Sequence, residues 1–250
     1  MAGHRAPARS PRPRSRHFLR SRSLAAAIVA SADVRATDLV VDIGAGSGRL
    51  TAELARAARR VLAIELDPRL ARGLRGRWPN VDVVAGDALA VSLPREPFRV
   101  VANIPFAHTS DILHRLLDDP ALPLERADLI VEWGVAVKRG LPSPSSVSGV
   151  LWGAFHELRV ERRLPPSAFD PPPACDAGVL VITRRARPLI PVERSDDYRR
   201  FVAGAFRRGH RIDGALPRDL DAHQWAERYS RYAATGSRTS AGASRSGLWR

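Results

Sequence analysis

The sequence has one cysteine, Cys175, among its 250 residues, and this scarcity excludes two classes of structure. A lone cysteine cannot form an internal disulfide bond or supply a cysteine zinc cluster. His108, His114 and His156 also lack the spacing of metal ligands. We therefore predict no metal site, and a chain without disulfide bonds fits a reducing compartment such as the cytoplasm.

Lysine is almost absent: Lys138 is the single lysine in the sequence, and the other 39 of its 40 basic residues are arginines. The acidic residues number 26. The formal net charge is +14 and the sequence pI is near 11.4. Such a protein is attracted to polyanions, above all nucleic acid, and its binding is sensitive to salt. Arginine dominance can also reflect coding bias, so the prediction of a nucleic-acid partner depends on the net charge.

Long apolar runs are missing too, and no segment approaches the length of a membrane span. The short run at residues 24–30 follows several arginines and ends near an Ala-x-Ala pattern, which is typical of a signal peptide. Ser23 can equally cap an ordinary amphipathic helix. We favour the helix, because a cofactor-binding pattern follows it, and we predict no membrane association.

Composition divides the chain into four segments. Residues 1–22 contain seven arginines and no acidic residue, which predicts a disordered basic arm. This arm either contacts RNA or DNA or serves as a solubilising tail. We assign residues 23–190 to a cofactor-binding catalytic domain and 191–233 to a small helical domain that binds nucleic acid. Residues 234–250, rich in Ser, Gly and Arg, are predicted to be a disordered tail.

The central segment alternates apolar strands with helical stretches. Apolar strands with helices between them predict a parallel sheet covered on both faces. The predicted strands are residues 39–44, 61–65, 81–87, 98–103 and 127–133. Two later strands, 156–164 and 177–185, read as an antiparallel pair joined by a proline-rich loop. The predicted fold is therefore α/β, Rossmann-like, with a mostly parallel sheet of seven strands and a small C-terminal helical domain.

A glycine-rich turn follows the first of these strands. It has the spacing Gly44-x-Gly46-x-Gly48, with Asp42 two residues before the first glycine and Arg49 after the last. The dinucleotide fingerprint requires a different glycine spacing, and the Lys-Ser/Thr of a P-loop is missing. A carboxylate beside the glycines repels a pyrophosphate but suits a ligand that carries an ammonium group.

Acidic side chains also end the next two strands. Glu65 is placed to accept hydrogen bonds from both hydroxyls of a ribose, and Asp87 is placed to meet the exocyclic amine of an adenine. An ammonium group, a ribose and an adenine without phosphates describe S-adenosylmethionine. A nicotinamide dehydrogenase is the nearest competing interpretation, and the glycine spacing counts against it.

The fourth strand ends in Asn103-Ile104-Pro105-Phe106. The amine of an adenine is a poor nucleophile, because its lone pair is delocalised into the ring. The side-chain carbonyl of Asn103 and the main-chain carbonyl near Ile104 can accept its two N–H groups. These bonds aim the lone pair at the methyl group, while Phe106 stacks on the base. The alternative is a turn with a core phenylalanine; we favour the catalytic interpretation because a complete cofactor set precedes it.

These motifs resemble one family. The order "RHFL" (16–19), "DIGAGSG", "IE", "GDA", "NIPF" and "FDPPP" (169–173) is similar to the ribosomal RNA adenine N6-methyltransferases, and within them to the Erm type. The resemblance implies a class I S-adenosylmethionine-dependent fold. It also implies methylation of 23S rRNA that confers macrolide–lincosamide–streptogramin B resistance.

The resemblance also assigns roles to residues. It implies catalytic positions at Asn103, Phe106 and Phe169, where Phe169 is the second aromatic ring that closes on the target base. It implies cofactor-binding positions at His17, Leu19, Asp42, Gly44, Gly46, Glu65, Leu66, Asp87, Ala88 and Asn103. Arg16 and His17 replace the two amides usual in the first motif. Cys175 stands where the family has valine, and we interpret it as a small apolar residue.

The resulting hypothesis is a monomeric methyltransferase that acts on 23S rRNA before the ribosome is fully assembled. Three alternatives stay open: an enzyme that modifies small-subunit rRNA, a non-catalytic nucleic-acid-binding protein, and a small-molecule methyltransferase, which the net charge disfavours. Basic residues 138–139 and 207–211 either contact RNA or form solvated helix faces.

Overall fold

A computed structural model describes residues 17–141, 145–208, 212 and 214–237. Three predicted features fall at least partly outside the described residues: 1–16 of the basic arm, 209–211 of the basic cluster and 238–250 of the tail. None of the helices in the described ranges has the length and apolar character needed to cross a bilayer.

Seven strands form one sheet, and two short strands form another. The seven-stranded sheet contains β2 (Leu39–Ile43), β3 (Arg60–Glu65), β4 (Val81–Ala85), β5 (Phe98–Asn103), β6 (Leu124–Glu132), β7 (His156–Leu164) and β9 (Ala177–Arg184). The two-stranded sheet contains β1 (Phe18–Leu19) and β8 (Phe169–Asp170).

The strand order across the large sheet is β4-β3-β2-β5-β6-β9-β7. Neighbouring strands pair in parallel from β4 to β6, and β9 pairs antiparallel with both β6 and β7. The predicted mostly parallel, seven-stranded sheet and its antiparallel pair are therefore confirmed. The chain order reverses between β2 and β5, and ligands of open α/β sheets bind at the carboxyl ends of the strands at such a point.

Eight α-helices accompany the sheets in the described part of the chain. They are α1 (Arg22–Ser31), α2 (Arg49–Ala57), α3 (Pro68–Leu74), α4 (Thr109–Leu117), α5 (Trp133–Gly140), α6 (Val147–Phe155), α7 (Ser195–Arg208) and α8 (Ala222–Ser237). Alternate residues of β2 point to opposite faces of the sheet. Val40 packs with Ile28 of α1 and Leu54 of α2, whereas Val41 packs with Leu113 of α4.

The start of the first helix differs from the sequence prediction. Helix α1 begins at Arg22, and its cap is Ser21 rather than Ser23, because the Ser21 side chain accepts a hydrogen bond from the Leu24 amide. Residues 17–22, predicted as part of the disordered arm, therefore hold defined structure. Helix α3 ends at Leu74 because Gly76 follows with a positive φ of 71°, which a helix cannot contain.

A separate apolar core joins α6, α7 and α8. Tyr198, Phe201 and Trp225 are buried in it, with the rings of Phe201 and Trp225 edge to face at 6.1 Å. Helix α6 contributes Val150 to this core and Trp152 to the core under the sheet. Helix α6 therefore bridges the two units, and the division of the chain at residue 190 stays a prediction. Helix α8 extends to Ser237, so residues 234–237, predicted as the start of the disordered tail, are helical.

Candidate active site

The turn after β2 is held by main-chain hydrogen bonds. The amides of Gly44 and Ala45 both donate to the Ile64 carbonyl, at 2.8 and 3.1 Å. Gly46 has a φ of +55°, and a β-carbon there would lie 2.6 Å from Cε1 of Phe18. Only glycine suits this conformation and this close contact. The main chain of this turn, without side chains at Gly44 and Gly46, is therefore accessible to a ligand.

Glu65, at the end of β3, is fixed by two backbone donors. Its carboxylate accepts hydrogen bonds from the amides of Gly46 and Asp67, each at 2.8 Å. The next residue, Leu66, leaves 64% of its surface exposed, which is unusual for a large apolar side chain. Asp87, after β4, is exposed and accepts a hydrogen bond from the Leu89 amide. Carboxylates and an apolar surface thus surround the glycine turn.

Asp42 lies beneath this turn. It is 1% exposed, and the Thr51 hydroxyl donates a 2.7 Å hydrogen bond to it. Burial raises the pKa of Asp42 from 3.8 to about 7, although the hydrogen bond from Thr51 lowers it and the nearby Glu65 carboxylate raises it further. Asp42 therefore changes charge near neutral pH, and a cation close to it would favour the ionised form.

Asn103, at the end of β5, has an asymmetric environment. Its side-chain nitrogen donates a 2.6 Å hydrogen bond to the main-chain carbonyl of His17. Its side-chain oxygen is buried and has no hydrogen-bond partner among the described residues. A buried acceptor without a partner is costly, so this oxygen is positioned for a donor that a ligand brings.

The small sheet holds His17 in this position. Phe18 pairs with Asp170 and Leu19 with Phe169, and the ring Nδ1 of His17 donates to the Pro171 carbonyl at 2.8 Å. The His17 imidazole lies 5.6 Å from the ring of Phe106, centroid to centroid. The segment before α1 is thus fixed against the segment after β7, directly beside Asn103.

Nine of the predicted site residues line one cavity of about 200 Å³ at the switch point. They are His17, Gly44, Gly46, Glu65, Leu66, Asp87, Ala88, Asn103 and Phe106. Three others do not line it: Leu19, Asp42 and Phe169 are each buried, at most 2% exposed. The ring of Phe169 meets that of Phe106 edge to face at 6.4 Å, from within the core.

The profile of the family named ribosomal RNA adenine dimethylase matches residues 12–221, which is most of the chain. The chain belongs to this family. Two curated relatives agree with the assignment. The mycinamicin-resistance protein MyrB of Micromonospora griseorubida is 35% identical over 225 residues, which cover 80% of this chain and 71% of that protein. An rRNA methyltransferase of Streptomyces thermotolerans is 37% identical over 229 residues, covering 89% and 76%.

Among solved structures, the crystal structure of the 23S rRNA methyltransferase ErmE superposes with a TM-score of 0.72 at 30% sequence identity. The match covers 86% of this chain and 98% of that one. As a member of the ribosomal RNA adenine dimethylase family, the protein is a methyltransferase, and its cofactor is S-adenosylmethionine. The cavity fits that cofactor, because it offers bare backbone at Gly46, a fixed carboxylate at Glu65 and exposed apolar surface at Leu66.

Sequence reasoning missed several residues of the site, among them Phe18 and Thr51. Phe18 lines the cavity and packs its ring against Gly46, and Thr51 donates to the buried Asp42. Phe18 falls within the quoted "RHFL" motif, so a signal existed for it. Thr51 carries no local signal, because the hydrogen bond depends on how α2 packs on β2.

Cys175 is exposed, and its surroundings do not activate it. Desolvation, with the carboxylates of Glu132 and Asp176, raises the pKa of its thiol. A raised pKa lowers the thiolate fraction at neutral pH, and the thiolate is the nucleophilic form. A nucleophilic role for Cys175 is therefore disfavoured, while its interpretation as a small apolar residue stays a prediction.

We expect the affinity for S-adenosylmethionine to depend on pH through Asp42. An ammonium group near Asp42 favours its ionised form, so affinity should fall below about pH 7, by up to about tenfold per pH unit. Asp42→Asn should bind more weakly at pH 8 and show a flatter pH dependence. Calorimetric titration of both proteins between about pH 6 and 8.5 measures this. Parallel curves for the two proteins would rule out this role.

The same variant has an opposite effect on the ligand-free protein. A pKa raised in the folded state contributes stability that is present below the unfolded value of 3.8 and is lost as pH rises through about 7. Asp42→Asn should therefore raise the free energy of unfolding by about 2–4 kcal/mol at pH 8. Denaturant unfolding should show this difference shrinking as the pH approaches the unfolded pKa.

Proposed function

We propose that this protein transfers a methyl group from S-adenosylmethionine to N6 of one adenine in 23S rRNA and so confers resistance to macrolide-type antibiotics. The names of its relatives support this choice of RNA and of phenotype. The small-subunit RNA is the alternative substrate, and the experiment below separates the two.

One observation carries the reaction: the side-chain oxygen of Asn103, in the wall of the cofactor cavity, is a buried acceptor without a partner among the described residues. The N6 amine of an adenine has two donors, and the Asn103 oxygen takes one of them. A main-chain carbonyl of the following turn takes the other. Both bonds favour a tetrahedral nitrogen whose lone pair faces the methyl group.

The proposed reaction does not require a strong general base. The amine becomes acidic only after it has been methylated, so it can release its proton without a strong base. The rate enhancement then comes mainly from positioning, which can contribute about 7–11 kcal/mol to lowering the barrier. Phe106, half-buried at the cavity wall, supplies the ring on which the base stacks.

The cofactor contacts follow from the same geometry. Gly44 and Gly46 let the backbone approach the methionine end, and Asp42 attracts its ammonium group from below. Glu65 accepts from the ribose hydroxyls, and Leu66 packs on the adenine. Asp87, next to Ala88, accepts a hydrogen bond from the exocyclic amine of the cofactor's adenine.

The remaining predicted positions act indirectly in this proposal. Leu19 and Phe169 are core residues that pair across the small sheet and so keep His17 in place. His17 closes the acceptor side of the cavity. Phe169 supports Phe106 edge to face rather than touching the base in this conformation.

We further propose that the protein acts as a cytoplasmic monomer on RNA that is not yet fully assembled into ribosomes. The basic arm (1–22) and the helical domain (191–233) grip the RNA backbone, and the tail (234–250) contributes charge. This follows from the net charge of +14, since phosphate contacts dominate affinity for nucleic acid.

The deciding experiment is transfer of labelled methyl groups to protein-free 23S and 16S rRNA, followed by mapping of the modified base. We expect label on one adenine of 23S rRNA. The control is the same RNA with that adenine replaced by guanine, which should take up no label. Label on 16S rRNA alone would move the protein to the small-subunit branch of the family, and label on neither RNA would contradict the proposal.

A further inference from the structure

A second cavity lies between the sheet and the helical unit. Its volume is about 290 Å³, and its walls come from α5, α6, β7 and the start of α8. It shares no residue with the cofactor cavity. The proposed reaction leaves this cavity without a role.

His156, the first residue of β7, forms part of the wall. It is 1% exposed, and neither ring nitrogen has a hydrogen-bond partner in the described ranges. Burial, with the nearby guanidinium groups of Arg184 and Arg185, lowers its pKa to about 4, although an interaction with the Trp152 main chain raises it. The imidazole is therefore neutral at pH 7 and carries one buried N–H that makes no well-formed hydrogen bond to a described residue.

Arg139 is a second group whose charge is not matched. Its guanidinium stacks over the Trp152 ring at 4.8 Å and donates to the Ser146 hydroxyl at 3.3 Å. Within the described residues no carboxylate pairs with it, and burial lowers its pKa. The neighbouring Lys138 also lines the cavity, and it too has no ion pair in that part of the chain.

The N-terminus of α6 opens on the same space. Ser145, Ser146 and Gly149 line the cavity, and Ser146 caps the nine-residue helix by accepting from the Gly149 amide. The first turn of a helix has free N–H groups and a partial positive charge, which together attract anions.

The charges around the cavity favour an anion. Lys138, Arg139 and Arg185 line it, against one carboxylate, Glu157, which already pairs with Arg185 at 2.8 Å. An anion with several acceptor oxygens would satisfy the His156 N–H and the unmatched Arg139 charge together.

We propose that this cavity binds a phosphate group, held by His156, Arg139 and the first turn of α6. The phosphate is either a backbone phosphate of the RNA or that of a free phosphate compound. Only the RNA source depends on the proposed function, because binding of inorganic phosphate can be measured without any methyl transfer.

The test is a calorimetric titration of inorganic phosphate into the full-length protein, with ionic strength held constant by chloride. His156→Phe removes the donor and keeps a ring of similar size, and Arg139→Gln removes the charge but can still bond to Ser146. Arg162→Gln is the matched control, since Arg162 is an exposed arginine of β7 outside the cavity. An unchanged affinity for S-adenosylmethionine identifies the variants that fold.

We expect each cavity variant to weaken phosphate binding by about tenfold, since each loses a charge-assisted or otherwise unsatisfied hydrogen bond. The control should match the wild type. The proposal is overturned if the wild type does not bind phosphate at concentrations on the order of 10 mM, or if the control weakens equally.

A second titration, with the rRNA fragment, identifies the source. If the fragment displaces phosphate and binds the two cavity variants more weakly, the site holds RNA backbone. If RNA binding is the same in all four proteins while phosphate binding differs, the site holds a free phosphate compound. Phosphate binding without methyl transfer would refute the proposed function and leave this inference standing.

Discussion

Replacing Asn103 with alanine is expected to lower kcat for methyl transfer by about 10³-fold and to leave the affinity for S-adenosylmethionine within severalfold of the wild type. The substitution removes the buried oxygen that has no partner among the described residues. It also removes the donor that bonds to the His17 carbonyl at 2.6 Å. In the proposed reaction this oxygen contacts the amine as it becomes nucleophilic, so we expect the loss to fall on kcat rather than on cofactor binding.

Asn103→Asp separates the two functions of this side chain. It keeps an acceptor oxygen but replaces the donor with a second oxygen, which repels the His17 carbonyl. We expect an intermediate loss of kcat, because the acceptor survives while its orientation does not. Asn80→Ala is the control for loss of an asparagine, since Asn80 bonds to the carbonyls of Ala55 and Ala58, away from the cavity.

Single-turnover kinetics with saturating cofactor measures these rates directly. Asn80→Ala should lose stability and keep its rate per folded molecule. If Asn103→Ala keeps more than a tenth of the wild-type rate, the asparagine is not the main contact of the amine.

Gly46→Ala is expected to weaken binding of S-adenosylmethionine by about 100-fold, which corresponds to about 2.7 kcal/mol. The added β-carbon would lie 2.6 Å from Phe18 Cε1 and 2.9 Å from Cδ1. The φ of +55° also strains any L-residue, by about 1–2 kcal/mol. The Phe18 ring must therefore leave the cavity wall, or the turn must change shape.

The double variant Gly46→Ala, Phe18→Ala distinguishes these two causes. Removing the ring relieves the clash but not the backbone strain, so part of the affinity should return. Gly73→Ala is the matched control: Gly73 lies within α3, and a β-carbon there meets nothing within 4 Å. That control should bind cofactor normally and be more stable by up to about 1 kcal/mol. Equal binding by Gly46→Ala and wild type would mean that the turn does not contact the cofactor.

The sequence was sufficient for much of the fold and for the cavity, because both depend on local patterns. Apolar strands separated by helices determine a parallel sheet, and parallel strands bring their carboxyl ends to one edge. Glu65, Asp87 and Asn103 follow three such strands, so their convergence could be predicted without coordinates.

The small sheet could not be predicted in this way. It pairs Phe18 with Asp170 and Leu19 with Phe169, residues about 150 positions apart, through strands of two residues each. Two residues are too few to show the alternation that identifies a strand. A basic composition around them predicted disorder instead, and tertiary pairing overrode that signal.

The resemblance to the family assigned functional roles to residues but gave no information about the conformations of their side chains. It implied that Phe169 closes on the target base, and in this structure that ring is fully buried and meets Phe106 edge to face. A motif reports which residue type a position needs. It does not report whether the side chain faces a cavity or the core, which depends on packing against β1 and α1.

The contacts of β1 provide a physical route by which binding of the cofactor and binding of the RNA would influence each other. Phe18 packs against the cofactor turn at Gly46, and the adjacent His17 holds the amide of Asn103 on the acceptor side. Any shift of this strand that the methyl donor favours alters the acceptor pocket as well. Linkage then requires reciprocity: the factor by which bound cofactor changes the affinity for RNA equals the factor by which bound RNA changes the affinity for cofactor.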